Sequence, residues 1–272
     1  MQINSYAKIN LGLHVLNERA DGFHNITTIF QELNFCDQIT IEESQKMSFD
    51  TNVDWVDRNN NTCVKAIKIL QNHYSDLPNF KIFLQKNIPT NAGLGGGSSN
   101  GTATLKAINQ LCELNIQEKE MKQFAEKISA DSTFFVNGGL QGGEQKGEKL
   151  YPIKDSTIDT QILLVMPSIR VQTSDAFMFI KKYLVKGKTD VKLSQMLEEL
   201  KVNKLSSELF YNDFEVYVFK THPEIGKIKL KILDLGAQYA SLSGSGSTVF
   251  GIFSDKQTAQ KAQSFFSPHY ST

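Results

Sequence analysis

The stretch PTNAGLGGGSSN, residues 89–100, sets glycine at Gly93, Gly95, Gly96 and Gly97 and closes with Ser98 and Ser99. FKIFLQKNI, just before it, alternates like a strand. Behind it, in TATLKAINQLCEL, Leu105, Ile108, Leu111 and Leu114 recur along one helical face. The order is strand, glycine loop, helix. Glycines carry no Cβ and tolerate positive φ, so several backbone N–H groups can converge on one polyanion, and the positive end of the following helix favours the same charge. Ser98 or Ser99 is expected to cap the first helical turn. A tight turn with no ligand is the competing reading.

Two common phosphate loops fail letter by letter. The P-loop pattern needs a glycine five residues before its Gly-Lys-Ser/Thr; ahead of Gly187-Lys188-Thr189 that place is held by Lys182. The dinucleotide pattern GxGxxG meets Ser98 when counted from Gly93 and Asn100 when counted from Gly95. A third kind of loop is required.

Working outward, Ile9, Leu11, Leu13 and Val15 alternate with Lys8, Asn10, Gly12 and His14, which predicts a strand with one polar face. The Asp21-Gly22 turn leads to a second strand in NITTIFQEL. Helical spacing appears in residues 62–74 and 118–128, and GGLQGGEQKGEKL reads as a hairpin or boundary. Beyond it come a strand in TQILLVMP, helices in TSDAFMFIKKYL and EIGKIKLKILDLG, strands around the glycine turn of SLSGSGSTVFGIF, and a last helix in KQTAQKAQSFF. The pattern is α+β in two parts, expected at residues 1–153 and 154–272, and 272 residues suffice for both cores.

Composition narrows the partners. Twenty-nine basic residues balance 29 acidic ones, so nothing attracts nucleic acid or an anionic membrane generally, and no apolar run is long enough to span a bilayer. The expected compartment is the cytoplasm, the opening MQINSYAKIN lacking the build of a signal peptide. With Arg19, Arg58 and Arg170 the only arginines, a phosphate would be held by backbone N–H groups and lysine. Cys36, Cys63 and Cys112 have neither disulfide nor zinc spacing.

The loop, with its proline, spacer and Gly-Leu-Gly-Gly-Gly-Ser-Ser run, resembles the ATP-binding loop of the galactokinase, homoserine kinase, mevalonate kinase and phosphomevalonate kinase superfamily. YAKINLGLHV, RADGFHNITTIFQELNFCD, SADSTFFVNGG and SLSGSGSTVF resemble further motifs of the same superfamily, specifically of the branch acting on a cytidine-diphosphate derivative of methylerythritol. They occur in the right order from about Ser5 to Phe253. The resemblance implies a two-domain α+β kinase with its active site in the cleft between the domains. It implies ATP as phosphoryl donor, Mg²⁺ carried by the nucleotide rather than by a protein metal site, a small-molecule acceptor, and a monomer or weak homodimer. Homoserine kinase, mevalonate kinase and a non-catalytic ligand sensor of the same fold are the alternatives.

Residue by residue, a lysine on an alternating strand ordinarily faces solvent and an aspartate after a helix ordinarily ends it. The resemblance makes Lys8 and Asp131 the catalytic pair, with Asp131 orienting or deprotonating the acceptor hydroxyl and Lys8 compensating charge. Phe23 and Phe177 become aromatic walls of a cytosine slot, His24 a partner of the base and Asn10 a substrate contact, where packing is the plainer reading. Gly93, Gly95, Gly96, Gly97, Ser98 and Ser99 would cradle the ATP phosphates. Asn61 and Lys86 would reach the adenosine, against surface placement, and Gly244 and Gly246 would bring a second backbone turn near the site. Ser129, Ser132 and Thr133 depart from the family's Gly-Ala-Asp-Val-Pro pattern, and the fixed proline geometry after the aspartate is missing.

Overall fold

The computed structural model describes residues 1–154, 160–183 and 191–272. They form two compact units, each gathered from separate stretches: Met1–Lys8, Glu32–Thr90 and Gly95–Gly139 in the first, and Ile9–Gln31, Asn91–Leu94 and Leu140–Thr272 in the second. The long strands β1 (Gln2–Glu18) and β2 (His24–Ser44) pair with each other and contribute residues to both units.

In the first unit β2 pairs antiparallel with β4 (Asn79–Gln85), Ile39 opposite Leu84 and Ile41 opposite Ile82, and β4 pairs parallel with β3 (Ser48–Thr51). The inward residues of these strands share one core with the apolar stripes of α1 (Thr62–Gln71), α2 (Gly96–Leu111) and α3 (Glu118–Ile128). Ile67, Leu70, Leu105, Ile108 and Phe124 sit in that core, each burial contributing about 2 kcal/mol. Asn61 starts α1, its side-chain oxygen accepting from the Val64 N–H at 3.0 Å. After α3 the chain makes a 3₁₀ turn, Ala130–Thr133, and the one-turn helix α4 (Phe134–Asn137).

In the second unit β2 pairs antiparallel with β5 (Leu140–Gln145) and β5 with β6 (Lys149–Pro152), the hairpin expected from GGLQGGEQKGEKL. A second sheet has the order β7 (Gln161–Val165), β9 (Val249–Phe253), β8 (Tyr239–Leu242), antiparallel throughout. Its core residues Leu163, Val165, Leu242 and Val249 pack with Ala176 and Ile180 of α5 (Thr173–Tyr183) and with Ile225, Ile228 and Ile232 of α8 (Pro223–Asp234). Helices α6 (Leu193–Lys201) and α7 (Glu215–Thr221) precede α8, and α9 (Lys256–Phe266) ends the element order. Gly187-Lys188-Thr189 lies outside the described residues. The mixed class is α+β, as the periodicities indicate.

The polar side of β1 differs from a solvent-facing strand face. Lys8, Asn10 and His14 are all buried. Burial is tolerated because each finds a partner: Lys8 pairs with Asp131, Asn10 donates to Thr28 Oγ1 at 3.0 Å, and His14 Nε2 lies 2.8 Å from the Leu209 carbonyl oxygen.

Candidate active site

Helix α2 begins at Gly96, and Gly95 before it has φ 68° with no side chain capping the turn. Ser98 and Ser99 are therefore the third and fourth residues of the helix, not its cap as the sequence suggested. Their hydroxyls are engaged sideways: Ser99 accepts from Ser5 Oγ at 2.8 Å and Ser98 from Ser129 Oγ at 2.7 Å. The consequence is a helix start whose first N–H groups have no side-chain cap, an arrangement suited to an anion. A Cβ on Gly95 would stand 2.9 Å from Phe135 Cζ and 3.1 Å from Lys8 Cε; one on Gly96 would stand 3.0 Å from Lys86 Nζ. Gly97 is exposed, its nearest neighbour 4.0 Å from such a Cβ. The loop is thus bare on one side and tightly seated on the other.

Gly93 belongs to the second unit and has φ 77°. A Cβ there would overlap the carbonyl oxygen of Ser243, whose hydroxyl donates to the Gly93 carbonyl at 2.9 Å. This brings Gly244 against Gly93: a Cβ at Gly244 would lie 3.1 Å from the Gly93 carbonyl oxygen. Gly246 also has positive φ and lies in the same turn. Asn212, which the sequence reading missed, donates 2.8 Å bonds to the Leu242 and Gly244 carbonyls and holds that turn in place. Gly93→Ala combines a left-handed backbone with a clash against main chain, so a loss of about 3 kcal/mol is expected in denaturant unfolding.

Lys8 Nζ lies 3.2 Å from Asp131 Oδ2, the lysine side chain 5% exposed and the aspartate 34% exposed. The two residues come from β1 and the 3₁₀ turn, and both belong to the first unit with Gly95–Ser99. A sheltered cation beside a carboxylate that still reaches solvent is the arrangement needed to receive a hydroxyl proton while balancing charge.

Lys86 is placed neither on the surface nor in an open pocket: its ammonium is buried against Asp37 Oδ2. Burial pushes the Lys86 pKa down and the neighbouring carboxylate opposes this. Asp37, also missed in the sequence, further accepts from the Asn87 and Ile88 N–H groups at 2.7 and 2.8 Å and from Asn100 Nδ2 at 2.8 Å. Asn100 is on α2 and also donates to Ser5 Oγ at 2.9 Å. One carboxylate thereby ties β4's exit and the first turns of α2 together. Asn61, besides capping α1, donates to the Asp57 carbonyl oxygen at 2.8 Å.

The acceptor-side candidates lie in the second unit. His24 and Phe177 stack with centroids 5.3 Å apart and planes at 22°. His24 Nε2 is buried with no hydrogen-bond partner among the described residues, and burial lowers its pKa, so the neutral imidazole is favoured. Phe23 is 55% exposed, with Lys146 Nζ 5.3 Å from its ring centroid. Asn10 is anchored to Thr28, whose hydroxyl donates in turn to the Gly12 carbonyl oxygen at 2.6 Å. Phe177 therefore packs on His24 itself, while Phe23 offers an open aromatic face.

Among the described residues no group of three or more His, Cys, Asp or Glu side chains could hold a metal ion.

Comparison with known proteins places the chain in a family. Residues 61–139 match the GHMP kinases N terminal domain and residues 195–272 the GHMP kinases C terminal domain. The chain is 37% identical over 270 residues to 4-diphosphocytidyl-2-C-methyl-D-erythritol kinase of Thermodesulfovibrio yellowstonii, covering 98% of this chain and 94% of that one. It is 38% identical over 263 residues to the enzyme of the same name from Parabacteroides distasonis, covering 96% and 94%. A crystal structure of 4-(cytidine 5'-diphospho)-2C-methyl-D-erythritol kinase superposes with TM-score 0.81 at 26% identity, covering 98% of this chain and 96% of that one. Methanococcus jannaschii mevalonate kinase, at 18% identity and TM-score 0.74 over 98% and 95% of the two chains, shares the fold. Matched along nearly its whole length, the chain belongs to the 4-diphosphocytidyl-2-C-methyl-D-erythritol kinase family of the GHMP kinases.

Proposed function

We propose that the protein transfers the γ-phosphoryl group of ATP to the 2-hydroxyl of 4-diphosphocytidyl-2-C-methyl-D-erythritol, a step in isoprenoid precursor synthesis. The observation that carries this reading is the Lys8–Asp131 pair at 3.2 Å, in the same unit as a glycine loop whose helix start has no side-chain cap. The uncapped N–H groups from Gly95 to Ser98 receive the triphosphate; the Ser99 N–H already donates to the Gly95 carbonyl oxygen at 2.9 Å. Asp131 takes or orients the acceptor hydroxyl proton. Lys8 sits against that carboxylate and offsets charge as the phosphoryl group passes across. Such transfers proceed through a loose transition state, so alignment and charge compensation carry most of the rate.

Mg²⁺ would be carried by the nucleotide and would supply charge neutralisation; Ser98 Oγ and the Asp131 carboxylate are the oxygens this chain would offer towards it. A sensor of the same fold has no use for a sheltered Lys8–Asp131 pair, and homoserine or mevalonate has no base to stack.

Recognition of the cytosine falls to the exposed ring of Phe23, the His24–Phe177 stack and the buried His24 Nε2, whose missing hydrogen bond the base would supply. Base–aromatic stacking is worth about 1–3 kcal/mol, so Phe23→Ala and His24→Ala are each expected to raise the acceptor KM by about tenfold or more. The ATP KM should stay within about twofold. Steady-state kinetics with each substrate varied in turn checks this; equal rises in both constants would remove these residues from acceptor recognition.

A further inference from the structure

Two of the three positions that depart from the family pattern around Asp131, Ser129 and Ser132, carry a connection that the expected residues could not make. Ser129 Oγ donates to Ser98 Oγ at 2.7 Å, and Ser129 and Ser132 Oγ atoms lie 2.6 Å apart. A hydroxyl has one proton, so with Ser129 donating to Ser98, Ser132 is the donor to Ser129. Its longer approach, 3.4 Å to the Ser98 carbonyl oxygen, is the weaker alternative. Thr102 Oγ1 spans the same gap, 2.9 Å from the Ser132 carbonyl and 3.1 Å from the Ser98 carbonyl. Ser132 and Thr102 are fully buried, so these bonds are sheltered from water.

We infer that Ser129 and Ser132 are positioning residues that lock the turn bearing Asp131 to the first turn of α2, holding the catalytic carboxylate in register with the phosphate loop. The inference rests on the phosphoryl-transfer reading. The family pattern has Gly-Ala-Asp-Val-Pro here and can form neither hydroxyl bond; its proline fixes φ instead. In this chain Thr133 stands in the proline's place with φ −62°, a value proline also adopts. Two serines thus do by hydrogen bonding what a ring does by covalent constraint. The chain of donors runs Ser132 to Ser129 to Ser98.

The test compares wild type with Ser129→Ala, Ser132→Ala and the double variant. Calorimetry gives the ATP dissociation constant, steady-state assay gives kcat, and hydrogen exchange follows the amides of residues 130–137. The double variant is expected to lose about tenfold in kcat with ATP affinity within about twofold, because misaligned groups slow the chemistry while the N–H cradle persists. Exchange over residues 130–137 should quicken. Ser129→Thr, which keeps a hydroxyl, should retain most of the rate, and Thr133→Pro added to the double variant should restore part of it. Unchanged kcat and exchange in the double variant would overturn the inference, as would parallel losses in kcat, ATP affinity and thermal stability that Thr133→Pro leaves untouched. If wild type binds ATP yet phosphorylates no acceptor, the functional reading fails, and exchange at residues 130–137 still decides whether the serines lock the turn.

Discussion

Asp131→Asn is expected to lower kcat by about a thousandfold while leaving ATP affinity within about twofold. General-base and orienting groups contribute about 10²–10⁴ in rate, and Asn keeps the size and one acceptor oxygen of Asp131 while removing its charge. Lys8, now without its counter-charge 3.2 Å away, would turn towards the phosphates, so binding survives where turnover does not. Calorimetric ATP binding beside an initial-rate assay separates the two. A variant that keeps a tenth or more of wild-type kcat would show that Asp131 neither takes nor aligns the hydroxyl proton.

Asp37→Ala is expected to cost about 4 kcal/mol, the usual result of leaving one member of a buried ion pair uncompensated. It would strand the Lys86 ammonium and leave the Asn87 and Ile88 N–H groups and Asn100 Nδ2 without their acceptor. The sign of its pH dependence follows from Lys86. Burial already holds the folded-state pKa below the ordinary 10.5, and loss of Asp37 removes the carboxylate that opposes this. The unfolded chain then binds the proton more readily, so stability rises with pH until about 10.5, and the variant's deficit should shrink between pH 7 and pH 9.5. Urea unfolding at several pH values measures it. Asp37→Asn with Lys86→Met, which removes both charges and keeps an acceptor for the two N–H groups, should recover much of the loss. An Asp37→Ala protein as stable as wild type would contradict the assigned role.

The parts of the site that were legible in the sequence are those carried by local spacing. The glycine loop stands between a strand and a helix as its flanks indicate, and Lys8 and Asp131 are placed by motif and meet in space. What was not legible depends on distant partners. A single aspartate in NFCDQIT looks like any strand residue; only the fold brings it to Lys86, 49 positions on, and Asn100, 63 positions on. The polar residues of β1 alternate as a solvent face would, yet Asp131, Thr28 and Leu209 satisfy them in the interior. Ser98 and Ser99 have cap chemistry, but Gly95 can take the left-handed conformation and starts the helix earlier, which frees both hydroxyls for Ser129 and Ser5. Ser129 and Ser132 read as departures until their mutual distance gave them a purpose.

The most direct measurement is ADP formation by the purified protein with ATP and Mg²⁺, offered 4-diphosphocytidyl-2-C-methyl-D-erythritol, homoserine, mevalonate or no acceptor, with the phosphorylated product identified by phosphorus NMR. The account predicts turnover with the cytidine substrate alone and a new phosphomonoester on its 2-hydroxyl. Turnover with homoserine or mevalonate instead, or ATP binding with no turnover of any acceptor, would contradict it.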